Sequence, residues 1–181
     1  MKIRRVVTAP GADGKSRVVE EGFAPRSFEF TSAPGNAAAL LWATQAGATL
    51  SRGDDGVDAT EDVSFAPAPG ESRLKIVTFA PDAQVMRAGF DPVAFGAELA
   101  RLMPGFAESF EPDHPGMHTT DSIDYAVVLE GEITLELDDG KEVLLRKHDV
   151  AIQHGARHAW RNRGDRPATL LFVLLGSKRA A

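Results

Sequence analysis

The clearest pattern in this chain is a strict alternation of apolar and polar residues in its last third. Ile133, Leu135 and Leu137 alternate with acidic or hydroxyl residues, which is the period of a strand that buries one face. Asp139-Gly140 follows as a strong hairpin turn signal. Further short β-rich runs lie between turn residues, at 125–129, 143–145, 150–152, 158–160 and 169–175. Many short strands of this kind predict an all-β sandwich or barrel.

The first hundred residues are less regular. Four short strands are predicted there, over 3–8, 17–20, 40–44 and 74–79, the first two as a hairpin. The hairpin connector contains Gly14-Lys15-Ser16 but lacks the glycine spacing of a phosphate-binding loop, so we interpret it as a turn. Residues 21–39 are expected to be irregular. Residues 45–72 are rich in Gly, Asp, Ala and Pro, which predicts a long surface excursion.

A short amphipathic helix is predicted over 93–103, between Pro92 and Pro104-Gly105. Its apolar stripe of Phe95, Leu99 and Leu102 is expected to face the core or a dimer surface. Residues 1–115 therefore read as N-terminal strands, long loops and a short helix that pack on a barrel formed by 116–176. Whether residues 45–115 form a lid or a dimer arm stays open.

Length and composition narrow the class of protein. A chain of 181 residues with 43% hydrophobic residues predicts one globular domain. The net charge of −6 gives no support to nucleic-acid or anionic-membrane binding, and the absence of cysteine excludes disulfides and thiolate sites. The first residues lack a signal-peptide core, and no apolar run reaches the roughly 18 residues of a membrane span. We expect a cytoplasmic protein.

Three residues form the main candidate site: His118, Asp124 and His158. Two imidazoles and a carboxylate can hold a divalent transition metal and leave other positions open. His118 and Asp124 are an even number of residues apart, so one extended strand points both to the same side, together with Thr120 and Ser122. If that side is the inside of a barrel, the polar cluster needs partners there. The alternatives are that both histidines are buried hydrogen-bonded residues, or that Asp124 only orients an imidazole.

The spacing of these residues resembles that of the cupin superfamily, in particular single-domain conserved-barrel proteins of the cupin 2 type. The first cupin motif is matched by His118, Asp124 and Gly131, with Asp in place of the usual Glu and Thr120 in place of the second His. Asp149, Gly155, His158 and Asn162 match the second motif, with His148 where Gly is usual. The resemblance covers roughly 116–175. It implies a jelly-roll barrel, commonly dimeric, with a metal ion in the barrel mouth.

Further residues are predicted to line the pocket. Trp160 and Asn162 lie two and four residues after His158, so strand parity points them to the same interior. Gln153 ends a strand beside the site and is a candidate for a polar contact to ligand or metal-bound water. His114, in a proline-bounded loop, is either a fourth ligand or proton shuttle, or an ordinary solvated histidine. Thr120 is a weak ligand, which leaves three protein ligands and either a weak or an empty metal site.

The expected function is a metal-dependent enzyme that acts on a small-molecule substrate. Fe, Mn, Ni or Zn would act as a Lewis acid, which suits lyase-type decarboxylation or dehydration. An Fe(II)-dependent dioxygenase is the first alternative, because a site of two His and one carboxylate leaves positions for substrate and O₂. A non-catalytic small-molecule-binding barrel is the second, since the fold alone does not decide. We also expect a homodimer.

Overall fold

The computed structural model describes residues 1–50, 60–87 and 89–180. Eleven strands and two α-helices are assigned in these residues: β1 Arg4–Pro10, β2 Ser16–Phe23, β3 Arg26–Glu29, β4 Ala37–Thr44, β5 Ser72–Phe79, α1 Asp82–Val85, α2 Pro92–Leu102, β6 Ser122–Glu130, β7 Glu132–Glu136, β8 Glu142–Arg146, β9 Val150–His154, β10 Ala159–Arg161 and β11 Ala168–Gly176. Short 3₁₀ turns lie at Ala107–Ser109 and Asp138–Gly140. The described part of the chain contains no helix that is long and apolar enough to cross a membrane.

The strands form two main sheets and a hairpin. The larger sheet has the order β3-β4-β5-β11-β6-β9, the smaller one has the order β10-β7-β8, and β1 pairs with β2. All the pairings are antiparallel. The order of strands along each sheet differs from their order in the chain, so connections cross between the sheets. This is the jelly-roll architecture that the sequence predicts.

The main core lies between the two sheets. Val128 of β6 and Leu170 and Leu174 of β11 pack in one cluster with Ile133 of β7 and Leu145 of β8. Each of these side chains is at most 9% exposed, and burying one contributes roughly 1.5–3 kcal/mol. Alternate residues of β6 and β11 are buried, because one face of the large sheet covers the small sheet.

Gly131 makes the tight turn that passes the chain from the large sheet to the small one. Its φ of 75° lies in the left-handed region, and a Cβ atom there would stand 2.7 Å from the Pro167 carbonyl oxygen. Only glycine fits both conditions. The glycine position of the first motif therefore has a local steric reason.

Residues 21–39 are more regular than the sequence predicts. They contain β3 and the start of β4, where Ala37, Ala38 and Ala39 are all buried. Ala38 packs in a cluster with Phe30 and Ala39 packs in another, so β4 is covered on both faces. Small side chains fit between the two clusters that cover the faces of β4, although alanine has little strand propensity of its own.

The predicted surface excursion over 45–72 is partly buried. Residues 51–59 lie outside the described residues, but Phe65 is fully buried and packs on the Phe30 cluster. Arg73 donates from Nε to the Ser64 carbonyl oxygen at 2.6 Å and holds this segment against β5. The segment therefore extends the core over one end of the large sheet.

The predicted helix is α2, and its apolar stripe faces the core. Asp91 caps it by accepting hydrogen bonds from the backbone N–H groups of Val93 and Ala94, with Pro92 in the first turn. Phe95 and Leu99 pack on the Phe30 cluster. Glu98 is also buried, which the amphipathic pattern does not predict.

Candidate functional site

His118 and His158 are brought together across the two sheets. His118 lies before β6 of the large sheet, and His158 directly precedes β10 of the small sheet. Their backbones form an antiparallel bridge, with N–H to carbonyl distances of 2.9 Å and 3.0 Å. The two ring centroids are 4.3 Å apart, and both residues are at most 5% exposed. Two stretches of chain forty residues apart thus present paired imidazoles inside the barrel.

Both imidazole rings make the same hydrogen bond, from Nδ1 to the backbone carbonyl oxygen two residues earlier. Nδ1 of His118 is 3.1 Å from the Gly116 carbonyl oxygen, and Nδ1 of His158 is 2.9 Å from the Ala156 carbonyl oxygen. A carbonyl oxygen only accepts, so each Nδ1 carries the hydrogen and each Nε2 keeps a free lone pair. Burial lowers the pKa of His118 to about 3, helped by the neighbouring His158. Burial also lowers the pKa of His158.

Asp124 lies in a small hydroxyl network. Ser122 Oγ is 2.5 Å from Asp124 Oδ1, and Thr120 Oγ1 donates to Asp124 Oδ2 at 3.4 Å. Ser122 Oγ is also 2.9 Å from Thr120 Oγ1. Burial raises the pKa of Asp124, while the Ser122 hydroxyl and the nearby Lys75 ammonium oppose that rise. Both carboxylate oxygens are therefore already engaged by hydroxyl groups.

Lys75 is a buried cation in the same interior, and sequence reasoning missed it. It lies on β5, is 3% exposed, and places Nζ 3.9 Å from the centroid of the Phe106 ring. Burial lowers the pKa of Lys75 to about 8, and Asp124 counteracts part of this effect. The one signal in the sequence is a lysine inside the apolar run Leu74–Phe79, which an exposed strand face explains equally well.

Gln153 is also buried in the interior. It pairs with Asp124 across β6 and β9 and is 4% exposed. Its Nε2 is a buried nitrogen that has no hydrogen-bond partner among the residues that the structure describes. A buried amide donor without an acceptor is a costly arrangement, which makes this atom a candidate contact for a ligand.

Aromatic side chains enclose the imidazoles. Phe110 and Phe106 lie with ring centroids 4.7 Å and 5.4 Å from the His118 ring, and Trp160 lies 5.8 Å from the His158 ring. Phe106 and Phe110 belong to the loop that precedes His118. Arg157 holds this loop through two hydrogen bonds to Glu111, at 2.6 Å and 2.7 Å. The loop keeps water away from the histidines, which strengthens electrostatic interactions inside.

Two of the predicted pocket residues lie outside this cluster. The His114 side chain is 63% exposed, and its Nδ1 is 3.3 Å from a Glu111 carboxylate oxygen. Asn162 is buried, but its amide nitrogen donates to the carbonyl oxygens of Phe79 and Arg166. The structure therefore brings together His118, Thr120, Asp124, Gln153, His158 and Trp160, with Ser122 and Lys75 in addition.

Residues 99–174 match the family model of the Cupin domain, Cupin_2. This part of the chain is a cupin domain. It contains β6 to β10, most of β11, the paired histidines and the loop that covers them.

The cupin domain has curated relatives in fungal biosynthesis clusters. It is 51% identical over 63 residues to Phomopsin biosynthesis cluster protein C' of Diaporthe leptostromiformis, a match that covers 34% of this chain and 33% of that protein. It is 40% identical over 83 residues to Oryzines biosynthesis cluster protein J of Aspergillus oryzae, covering 42% and 46%. It is also 40% identical over 65 residues to the cupin-domain-containing oxidoreductase virC of Hypocrea virens, covering 34% of each. The matches span between a third and a half of these relatives.

Solved cupin structures are similar at low sequence identity. The Cupin_2 domain of an XRE family transcriptional regulator from Enterobacter cloacae is 17% identical, covers 60% of this chain and 83% of that chain, and gives a TM-score of 0.36. A Cupin 2 conserved barrel domain protein from Salinispora arenicola is 16% identical, covers 63% and 66%, and gives a TM-score of 0.34.

Some donor atoms of the cupin domain are suitable ligands for a metal ion, but among the described residues they do not form a complete site. The free Nε2 atoms of His118 and His158 are suitable ligands, since a carbonyl that accepts from Nδ1 fixes the required tautomer. In the described ranges, however, no group of three or more His, Cys, Asp or Glu side chains is arranged to hold a metal ion. Asp124 is turned to Ser122 and Thr120 instead. Its role as third ligand stays a prediction.

Surface cavities lie beside the buried cluster and not within it. One of about 370 Å³ is lined by His114, Met117 and Arg157 among other residues, and so adjoins the loop over His118. Another, of about 660 Å³, lies between Arg26 and Pro104. The chemistry-bearing side chains are in the interior, and we assign the site from them because the larger cavity contains no paired donors of this kind.

Proposed function

We propose that the chain is an enzyme that acts on a small organic molecule at His118 and His158 of the cupin domain. One observation carries this proposal: two neutral, buried imidazoles whose Nε2 lone pairs are free and whose rings are 4.3 Å apart. A neutral imidazole is a proton acceptor or a metal ligand, and the burial keeps competing water out. The curated relatives named biosynthesis cluster proteins and oxidoreductases support an enzymatic role.

Lyase-type chemistry is the form of this function that the residues support best. In a dehydration, one imidazole Nε2 accepts the proton from the carbon beside a carbonyl group and then gives it to the departing hydroxyl, which leaves as water. A divalent Fe, Mn, Ni or Zn ion bound by His118 and His158, with Asp124 as the predicted third ligand, would instead occupy both Nε2 lone pairs and would supply a Lewis acid for the carbonyl oxygen in place of the imidazole base. Trp160 and Phe110 shape the pocket around the reacting group.

An oxidoreductase that uses dioxygen is the second candidate, and it is favoured by the printed names of relatives such as virC. A metal held by few protein ligands leaves positions open for substrate and O₂. Oxygen consumption on addition of substrate separates the two candidates, because a lyase consumes none. A pocket that binds small molecules without turnover would instead support a simple binding protein.

Replacing His118 or His158 with alanine tests the proposed centre. Each variant is expected to lose turnover by about a hundredfold and to lose bound metal, because each removes one free Nε2. Metal content is measured by elemental analysis of protein purified without chelator, and turnover on a panel of aromatic and keto acids. His154→Ala is the matched control, because His154 is exposed. Unchanged metal content and turnover in both variants would rule out this assignment.

We also propose that the chain forms a homodimer through the outer face of β6 and β9. Tyr125, Val150 and Ile152 are 41%, 55% and 58% exposed, and Tyr125 pairs directly with Ile152. β9 is the last strand of the large sheet, so its free edge can pair with a second copy across a two-fold axis. Ile152→Glu is expected to give a monomer in sedimentation velocity, whereas Lys147→Glu should not. A monomeric wild-type protein would contradict the proposal.

A further inference from the structure

Two hydrogen-bond donors in the barrel interior have no acceptor. The Lys75 ammonium makes no hydrogen bond and no ion pair within the part of the chain that the structure describes, and it rests on the Phe106 ring. Gln153 Nε2 is likewise without a partner there. Leaving a fully buried donor such as Gln153 Nε2 unpaired costs about 1–3 kcal/mol, so a folded protein rarely keeps one without a use.

Both donors are on the inner face of the large sheet. Lys75 of β5 is in register with Phe172 of β11, which is in register with Ala126 of β6 and so with Ala151 of β9. Gln153 is two residues after Ala151, so it points to the same side of the sheet. Asp124 is the cross-strand neighbour of Gln153 and is close enough to Lys75 to interact with it electrostatically.

No acceptor of the described residues lies within hydrogen-bond distance of these donors. The one carboxylate in this cluster is Asp124, and its two oxygens are engaged by Ser122 and Thr120. Arg73, the next cation along β5, is already paired with Glu71 at 2.6 Å. The charge of Lys75 is therefore not balanced by a direct partner among the described residues. Each donor would be satisfied by an oxygen acceptor, and the ammonium by one that carries negative charge.

The aromatic side chains beside the two donors indicate the rest of the ligand. Phe106 lies beside Lys75 and beside His118, and Phe172 lies 5.6 Å from Trp160 by ring centroids. Flat aromatic surfaces of this kind favour a flat, apolar body next to the anionic group. The combination is an aromatic ring with an acidic substituent.

We propose that Lys75 and Gln153 bind the carboxylate of an aromatic carboxylic acid, so that the substrate of the cupin domain is an aromatic acid. This inference rests on the proposed function for the use of the pocket, and it specifies the substrate class. Lys75 supplies the positive charge, Gln153 supplies a directional N–H donor, and the aromatic ring is directed towards His118 and His158. In a dry interior a charge-assisted hydrogen bond of this kind is stronger than at the surface.

Calorimetric titration with benzoate and with benzamide tests the proposal. The two probes share a ring and differ in charge, so the wild-type protein is expected to bind benzoate more tightly. Lys75→Met is expected to weaken benzoate binding by about ten- to a hundredfold and to leave benzamide binding unchanged. Gln153→Leu should weaken benzoate binding by a smaller factor. Lys147→Met, at an exposed lysine, is the matched control and should bind both probes like the wild type.

The outcomes separate this proposal from the proposed function. Lys75→Met that melts like the wild type and keeps benzoate affinity would overturn the proposal, as would equal wild-type affinity for the two probes or binding of neither. If Lys75→Met does not fold, the Gln153→Leu titration decides. Unchanged benzoate affinity in that variant would overturn the proposal. Failure of the proposed function would appear differently: His118→Ala and His158→Ala would keep turnover, whatever the benzoate affinity of Lys75→Met.

Discussion

Replacing Asn162 with alanine is expected to lower the free energy of unfolding by about 4 kcal/mol. The side chain is 1% exposed, and its amide nitrogen donates to the Phe79 and Arg166 carbonyl oxygens at 2.8 Å and 2.9 Å. Its oxygen accepts from the backbone N–H of Gly164 at 3.0 Å. Alanine leaves all three backbone groups without this partner in a place that water does not readily reach. Urea denaturation at neutral pH measures the loss.

The neighbouring residue is the control for that measurement. Arg163 is exposed and forms only a surface ion pair with Glu142, so Arg163→Ala should change the unfolding free energy by less than about 0.5 kcal/mol. A loss below about 1 kcal/mol in Asn162→Ala would show that the turn after β10 does not depend on this amide. Retention of benzoate binding in the folded fraction would support a structural role for Asn162.

Asn162 also shows a limit of predicting side-chain direction from strand parity. The prediction that Asn162 lines the pocket assumes that the strand of His158 continues for four residues. β10 ends at Arg161, and the chain then turns. The Asn162 side chain consequently reaches the end of β5, where it ties the turn before β11 to the large sheet. Trp160, within the strand, does lie beside His158 as parity predicts.

The second half of the fold was predictable because its signals are local. Ile133 and Leu135 alternate with polar residues and are both buried in β7, although Thr134 between them is buried as well. The turn signals at Gly131 and Asp139-Gly140 separate the strand from its neighbours. The pairing of His118 with His158 followed from the motif spacing of a cupin barrel. The strands depend on patterns that a few adjacent residues carry, whereas the histidine pair joins stretches forty residues apart and was implied by the resemblance to the cupin motifs.

Lys75 and the start of β4 were not predictable in this way. A lysine within an apolar strand normally faces solvent, but Lys75 lies on the inner face of the large sheet beside Phe106 and Phe172. The alanines at 37–39 have weak strand propensity, and only packing on both faces of the sheet explains their conformation. These features depend on contacts between distant segments, which no local pattern contains.

The departures from the cupin motif and the buried lysine are physically connected. Thr120 stands where the first motif usually has its second histidine, and its hydroxyl joins Ser122 in binding Asp124. The Asp124 carboxylate accepts from these two hydroxyls and interacts electrostatically with the Lys75 ammonium, without a direct ion pair among the described residues. Thr120 thus takes the place of a second imidazole without balancing the charge of Lys75, which in the proposed binding mode holds an anionic ligand.

Acidification is expected to destabilise the protein through Glu98, which the helical pattern placed on the polar face of α2. Burial raises the pKa of Glu98, but hydrogen bonds from the hydroxyl and backbone N–H groups of Ser32 and Thr31 outweigh it and bring that pKa to about 2. A folded-state pKa below the unfolded value of 4.5 stabilises the protein fully above pH 4.5. That stability, about 2 to 3 kcal/mol, is lost as the pH falls from 4.5 towards 2.

Glu98→Gln separates this effect from general acid denaturation, because it removes the titrating group and keeps the shape of the side chain. The variant is expected to be less stable than the wild type by about 2 to 3 kcal/mol at pH 7, and the gap should narrow as the pH falls below 4.5. Glu108→Gln, at an exposed glutamate, should follow the wild-type pH profile. Urea unfolding over a series of pH values measures both. A gap between Glu98→Gln and the wild type that stays constant with pH would contradict the prediction, because the stabilisation by Glu98 would then not depend on the charge of its carboxylate.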